Sequence, residues 1–170
     1  MSDEVSIEDL CSETAGSIRD LISRNLQGYE EAGSVLAATF RRLHNLTGTY
    51  GVEGARFFVL RDKNSGQCIG AAGIGSLHGL PPSEGLGEVR DLVLEVGFRG
   101  RGYGTRLLKR CVEEAKRLGY RSLYLETTPQ MDKAQKLFVR FGFRPVTQAQ
   151  TDLRAAGPQK VPGYFILEAL

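Results

Sequence analysis

With 170 residues, 41% of them hydrophobic and 25% charged, the chain can bury one core and is too short for two comfortable domains, so residues 1–170 read as one globular domain. Lysine and arginine number 22 against 20 acidic residues, and a net charge of +2 argues against wholesale nucleic-acid binding or polybasic attachment to a membrane. Cys11, Cys68 and Cys111 are widely spaced and make no metal-ligand or disulfide pattern, the first ten residues are acidic rather than leader-like, and no apolar run approaches the ~18 residues of a membrane span, which together predict a cytoplasmic protein without a metal.

In chain order, Ala15, Ile18, Leu21, Ile22 and Leu26 recur at helical spacing between Ser12 and Gln27, and Val35, Leu36, Phe40, Leu43 and Leu46 do so in a second segment. ARFFVLRD and QCIGAAGI flank Lys63-Asn64-Ser65-Gly66 and predict a hairpin. SLHGLPPSEGLG, residues 76–87, predicts a loop. Glu88 to Leu94 predicts a strand whose alternation puts Glu88, Arg90, Leu92 and Leu94 on one face and Val89, Asp91 and Val93 on the other. After a glycine-rich turn, Leu107, Leu108, Cys111, Val112, Ala115 and Leu118 form the apolar face of a helix that Gly119 ends. SLYLE is the next strand. Thr128-Pro129 predicts a helix start, Met131, Ala134, Leu137, Phe138 and Phe141 its buried stripe, and Gly142 its stop. FRPV, a polar loop around TDLRAAGPQK and GYFILEAL complete the chain. The strand, turn, helix and strand from 88 to 126 make one β-α-β unit with parallel strands, and the hairpin adds antiparallel ones, so the fold class is mixed α/β.

The turn itself, GFRGRGYGT at 97–105, holds four glycines and two arginines where strand gives way to helix. Such a junction aims free backbone amides at one point, and the helix dipole adds about half a positive charge there, so phosphate is its natural ligand. Glycine lets the backbone approach closely, and Arg99 and Arg101 can add charge-assisted bonds. The dinucleotide pattern G-x-G-x-x-G fails at Thr105, and the Walker pattern fails because Tyr103-Gly104 stands where Lys and Ser or Thr are required.

What the turn does satisfy is R-x-x-G-x-G, through Arg99, Gly102 and Gly104. With LLKRCVEEAKRLGYRSLYLET behind it and A-x-x-L-F-x-x-x-G-F at Ala134 to Phe143, the chain resembles the GNAT superfamily of acetyl-coenzyme A-dependent N-acetyltransferases, strongly over residues 88–143. The resemblance implies a twisted, mostly antiparallel sheet flanked by helices, with acetyl-coenzyme A as cosubstrate. It implies pantetheine along Leu92, Val93 and Leu94, and pyrophosphate on Arg99, Gly100, Arg101, Gly102, Tyr103, Gly104 and Thr105. It further implies an oxyanion held by the amide of Leu92, and Glu88 as the base that takes the amine's proton, with Glu95, Asp91 and Glu126 as substitutes. The residues also allow Glu88 simply to pair with Arg90, and a bulge would shift the facing of its strand.

Two positions depart from the family pattern. Phe138 stands where a tyrosine often protonates the departing thiolate, leaving Tyr124, Tyr103, Tyr164 or water, and Met131 stands where an asparagine is frequent. His78 in the loop reads as solvated, and Cys111 as packing. The expected acceptor is a small-molecule amine, with a protein lysine or amino terminus as an alternative and a non-catalytic acyl-coenzyme A-binding module as another. No nucleic-acid or membrane partner is expected, and the resemblance allows a homodimer through the C-terminal strands.

Overall fold

The computed structural model describes residues 4–27, 34–77, 80–127, 131–146 and 163–170. In chain order these form β1 (Val5–Asp9), α1 (Ser12–Leu26), α2 (Ser34–His44), the short α3 (Leu46–Tyr50), β2 (Arg56–Asp62), β3 (Cys68–Ser76), β4 (Leu86–Leu94), α4 (Tyr103–Arg117), β5 (Ser122–Thr127), α5 (Asp132–Phe141), β6 (Arg144–Val146) and β7 (Gly163–Glu168). All seven strands lie in one sheet in the order β1-β2-β3-β4-β5-β7-β6. Every neighbouring pair is antiparallel except β4 and β5.

Both faces of the sheet are covered, which is why β2 and β3 are nearly continuous apolar runs rather than alternating ones. Phe57 and Val59 pack with Ile18, Leu21 and Ile22 of α1 and with Leu43, Leu46 and Tyr50 of α2 and α3. Phe58 and Leu60, one residue out of phase, pack with Leu107, Leu108, Cys111 and Ala115 of α4 and Phe138 of α5. A fully buried leucine such as Leu107 or Leu108 stabilises the fold by roughly 1.5–3 kcal/mol through area removed from water. Gly119, at φ 87°, ends α4 as expected, with Tyr120 N–H donating to the Ala115 carbonyl.

Several expectations change. β1 was not expected, because VSIED offers only Val5 and Ile7 as apolar residues; it forms by pairing with β2 from Val5↔Asp62 to Asp9↔Phe58. Helix α5 begins at Asp132 after Met131, later than Thr128-Pro129, which lies outside the described residues along with His78 and TDLRAAGPQK. The segment 76–87 contributes a 3-10 turn at Pro82–Glu84 and the first residues of β4. The largest correction concerns β4 itself. Its register with β3 runs Ala71↔Val93 and then Gly73↔Arg90, so β4 carries one extra residue around Asp91 and Leu92, and Asp91 takes φ 53°. Beyond that bulge the alternation inverts. Leu92 and Leu94 join Val89 in the α4-side core, whereas Val93 packs on the α1 side. The strict alternation, with Glu88 sharing a face with Leu92 and Leu94, is therefore overturned.

Cys111 is fully buried on α4, and burial pushes its thiol up to about 12. A hydrogen bond from Thr14 instead lowers the thiol of exposed Cys11, and burial raises that of Cys68. Alkylation of the native protein, mapped by mass spectrometry, is expected to label Cys11 first, Cys68 slowly and Cys111 only on unfolding. Native labelling of Cys111 would show that the α4 face opens.

Candidate active site

The parallel pair that carries the site is short. β4 and β5 are in register only at Leu86↔Ser122, Gly87↔Leu123 and Glu88↔Tyr124, and past that row each strand continues without the other. The divergence opens a cleft of about 2250 Å³ lined by β4 from Glu88 to Leu94, by Leu125, Glu126 and Thr127 of β5, by α5, and by residues of α1 and α2.

At one end of the cleft stands the glycine turn. A 3-10 turn at Val96–Phe98 leads into it, Gly100 and Gly102 adopt φ 77° and 81°, and Gly102 is the N-cap of α4 without a side-chain cap bond. Gly102 thus brings no side chain to cap the amides of the first turn of α4, the arrangement that binds anions. A Cβ on Gly100 or Gly102 would meet no protein atom within 4 Å, whereas one on Gly104 would lie 3.0 Å from Leu137 Cδ2. The first two glycines therefore supply backbone conformation and open space, and the third lets α4 approach α5. Arg99 reaches back, donating from Nε to the Leu94 carbonyl at 3.0 Å and from Nη2 to Asn25 Oδ1 at 2.7 Å, which ties the turn to α1.

Of the residues expected at a coenzyme A site, Glu88, Leu92, Val93, Leu94, Arg99, Gly100, Gly102, Gly104 and Thr105 line this cleft. Arg101 and Tyr103 do not: Arg101 lies over the Phe98 ring at 5.4 Å, and Tyr103 packs against the core. Glu88 sits at the last row of the parallel pair and its Oε2 is 3.1 Å from Arg90 Nε, so the pairing allowed by the sequence is made. Arg90 also donates to the Ser76 carbonyl. Glu126 lines the cleft, Glu95 pairs with Arg24 at 3.3 Å outside it, and Tyr124 is buried with Leu77 and Ile166. Phe138 packs with Phe143 and Phe165 at ring distances of 6.2 and 6.0 Å, an apolar wall at the position where the family often has a phenol.

Asp91, which also lines the cleft, is held in a buried ion pair. Its side chain is 0% exposed and accepts from Arg42 Nη2 at 2.6 Å, Arg42 Nε at 2.8 Å and Tyr50 Oη at 2.6 Å. Burial opposes the Arg42 charge, but the carboxylate more than offsets this and holds the guanidinium above its ordinary value. Burial, reinforced by the Asp91 charge, pushes the Tyr50 phenol well up, so it stays a donor. Arg42 and Tyr50 escaped the sequence reading because nothing local marks them; only the packing of α2 and α3 onto β4 brings them to Asp91.

The model of the Acetyltransferase (GNAT) family matches residues 18–143, about three-quarters of the chain. The chain belongs to this family. It is 27% identical over 107 residues to the uncharacterized N-acetyltransferase YjgM of Escherichia coli, covering 63% of this chain and 62% of the relative. It is 34% identical over 95 residues to the N-alpha-acetyltransferase RimI of Mycobacterium tuberculosis, covering 56% and 57%. The chain thus spans about three-fifths of the length of these curated relatives. The fold matches a phosphinothricin acetyltransferase of Sinorhizobium meliloti, solved in complex with AcCoA, with a TM-score of 0.71 over 98% of this chain and 89% of that one at 19% identity. Among the described residues, no helix is long and apolar enough to cross a membrane, and no group of three or more His, Cys, Asp or Glu is placed to hold a metal ion.

Proposed function

We propose that this chain is an acetyl-coenzyme A-dependent N-acetyltransferase acting on a primary amine of a small molecule. The observation that carries the reading is the juxtaposition of the uncapped, glycine-opened start of α4 with the cleft between β4 and β5. In this reading the backbone from Gly100 to Thr105 holds the pyrophosphate, and Leu92, Val93 and Leu94 line the pantetheine arm. The bound cosubstrate supplies an activated acetyl thioester. The bulge leaves a residue of β4 outside the regular ladder, and the Leu92 amide placed there serves the charge that develops on the carbonyl oxygen, a donor worth about 3 kcal/mol in such sites.

Glu88 accepts the amine's proton, directly or through water, with Arg90 fixing the carboxylate at the narrow end of the cleft. Glu88→Gln is expected to leave acetyl-coenzyme A binding within twofold and to lower kcat by about 10²–10⁴-fold, measured as thiol released in the presence of a working amine. An unchanged kcat would assign the proton to water alone and leave Glu88 as a strut for Arg90. The acceptor class is tested by thiol release across a panel of amino acids, amino sugars, polyamines and short peptides. Activity confined to free peptide amino termini would favour the protein-directed alternative, which the similarity to RimI supports. Coenzyme A binding without turnover on any amine would favour a non-catalytic module.

A further inference from the structure

Thr127, the last residue of β5, is 2% exposed, lines the cleft, and its Oγ1 has no hydrogen-bond partner among the described residues. A buried hydroxyl left without a partner is costly, and such groups persist where something outside the fold satisfies them. Its position can be read from the strands. Leu123 and Leu125 share its face by the period of two, and both belong to the α4 and α5 side of the core, so Thr127 extends that face into the open cleft. From the last parallel row, Glu88↔Tyr124, three residues lead along β5 to Thr127; three along β4 lead to Asp91 and, allowing for the extra residue of the bulge, to Leu92. Thr127 therefore stands across the cleft from the bulge amide that the proposed mechanism places at the reacting carbonyl.

The wall beside it lacks the usual polar equipment. Phe138, which packs on Phe165, the cross-strand partner of Leu125, has no hydroxyl, and Met131 at the N-cap of α5 makes no side-chain cap bond. Resting on the acetyltransferase reading above, we propose that the Thr127 hydroxyl is a catalytic residue that donates a hydrogen bond to the departing sulfur of coenzyme A, a task moved here from the α5 helix to the β5 strand. In the step, the amine nitrogen bonds to the thioester carbon and the carbon–sulfur bond breaks with its electron pair going to sulfur. The amine's proton leaves through Glu88. The resulting thiolate accepts the Thr127 hydrogen bond; Thr127 keeps its proton, and the sulfur is later protonated from solvent.

The test needs no acceptor amine. Coenzyme A bound to the protein is titrated with pH while the ultraviolet absorbance of its thiolate is followed, in the parent, Thr127→Val and Thr127→Ser. A hydrogen bond to the charged sulfur lowers its pKa, so the bound thiol is expected to titrate about one unit higher in Thr127→Val and within a few tenths of the parent in Thr127→Ser. The ligand-free midpoint of Thr127→Val should equal or exceed that of the parent, since the methyl replaces a hydroxyl with no partner in the described fold. An unchanged thiol pKa in Thr127→Val overturns the proposal, and a lowered ligand-free midpoint with that unchanged pKa assigns the hydroxyl a structural role instead. If the folded parent binds no coenzyme A, the acetyltransferase reading itself fails; if it binds and only the pKa is indifferent to Thr127, that reading stands and the role of Thr127 is lost.

Discussion

Replacing Asp91 with alanine is expected to lower the unfolding free energy by about 3–5 kcal/mol, because it leaves the Arg42 guanidinium in a largely enclosed site without its counter-charge. The side chains of Arg42 and Asp91 are 21% and 0% exposed, so this pair is poorly screened by solvent, unlike the exposed helical pairs Lys109–Glu113 and Lys136–Asp132. Asp91→Asn isolates the charge. Asparagine tolerates the φ of 53° and keeps an acceptor for Tyr50 or Arg42, so a smaller loss is expected. Tyr50→Phe removes one bond to a charged acceptor and should cost about 1.5–3 kcal/mol. Urea unfolding of the three variants measures these differences. A loss under about 1 kcal/mol for Asp91→Ala would mean that α2 and α3 are held by their apolar contacts alone. Since α2 also brings Thr39 and Arg42 to the cleft, the same variant is expected to weaken acceptor binding more than acetyl-coenzyme A binding.

Gly102→Glu is expected to abolish acetyl-coenzyme A binding. Two effects combine: a non-glycine residue at φ 81° is strained by about 1–2 kcal/mol, and the carboxylate enters the space that the uncapped amides of α4 leave for an anion. Acetyl-coenzyme A at about a hundred times its dissociation constant should stabilise the parent by roughly 2.7 kcal/mol, visible as a raised thermal midpoint. The variant should start slightly lower and show no ligand-dependent rise. Gly102→Ala carries the strain without the charge and should keep part of the response. An equal rise in Gly102→Glu would place the cosubstrate's phosphates elsewhere than GFRGRGYGT.

How much of this was legible before any coordinates depends on whether the information is local. The glycine turn announced itself because backbone conformation at a strand-to-helix junction is written in the residues that adopt it: Gly119 ends α4 in the left-handed conformation that suits a helix end, and Gly100 and Gly102 take left-handed values open to glycine. The apolar periods of α1, α4 and α5 and the hairpin of β2 and β3 were equally local, as were the motifs that carry the family. β1 was not, since two apolar residues in five acquire a strand only when β2 offers an edge to pair with.

By itself, then, the sequence determined the β-α-β unit, the glycine turn and the family, because each rests on side-chain period or backbone preference within a few residues. Only the tertiary structure decided which side chains share a face of β4. One extra residue at Asp91 inverts the alternation, turns Leu92 and Leu94 toward α4, and gives Asp91 to Arg42 and Tyr50. The pairing of Glu88 with Arg90 and the placing of Thr127 opposite the bulge were decided there too, since where β4 and β5 part is set by the register between strands distant in sequence.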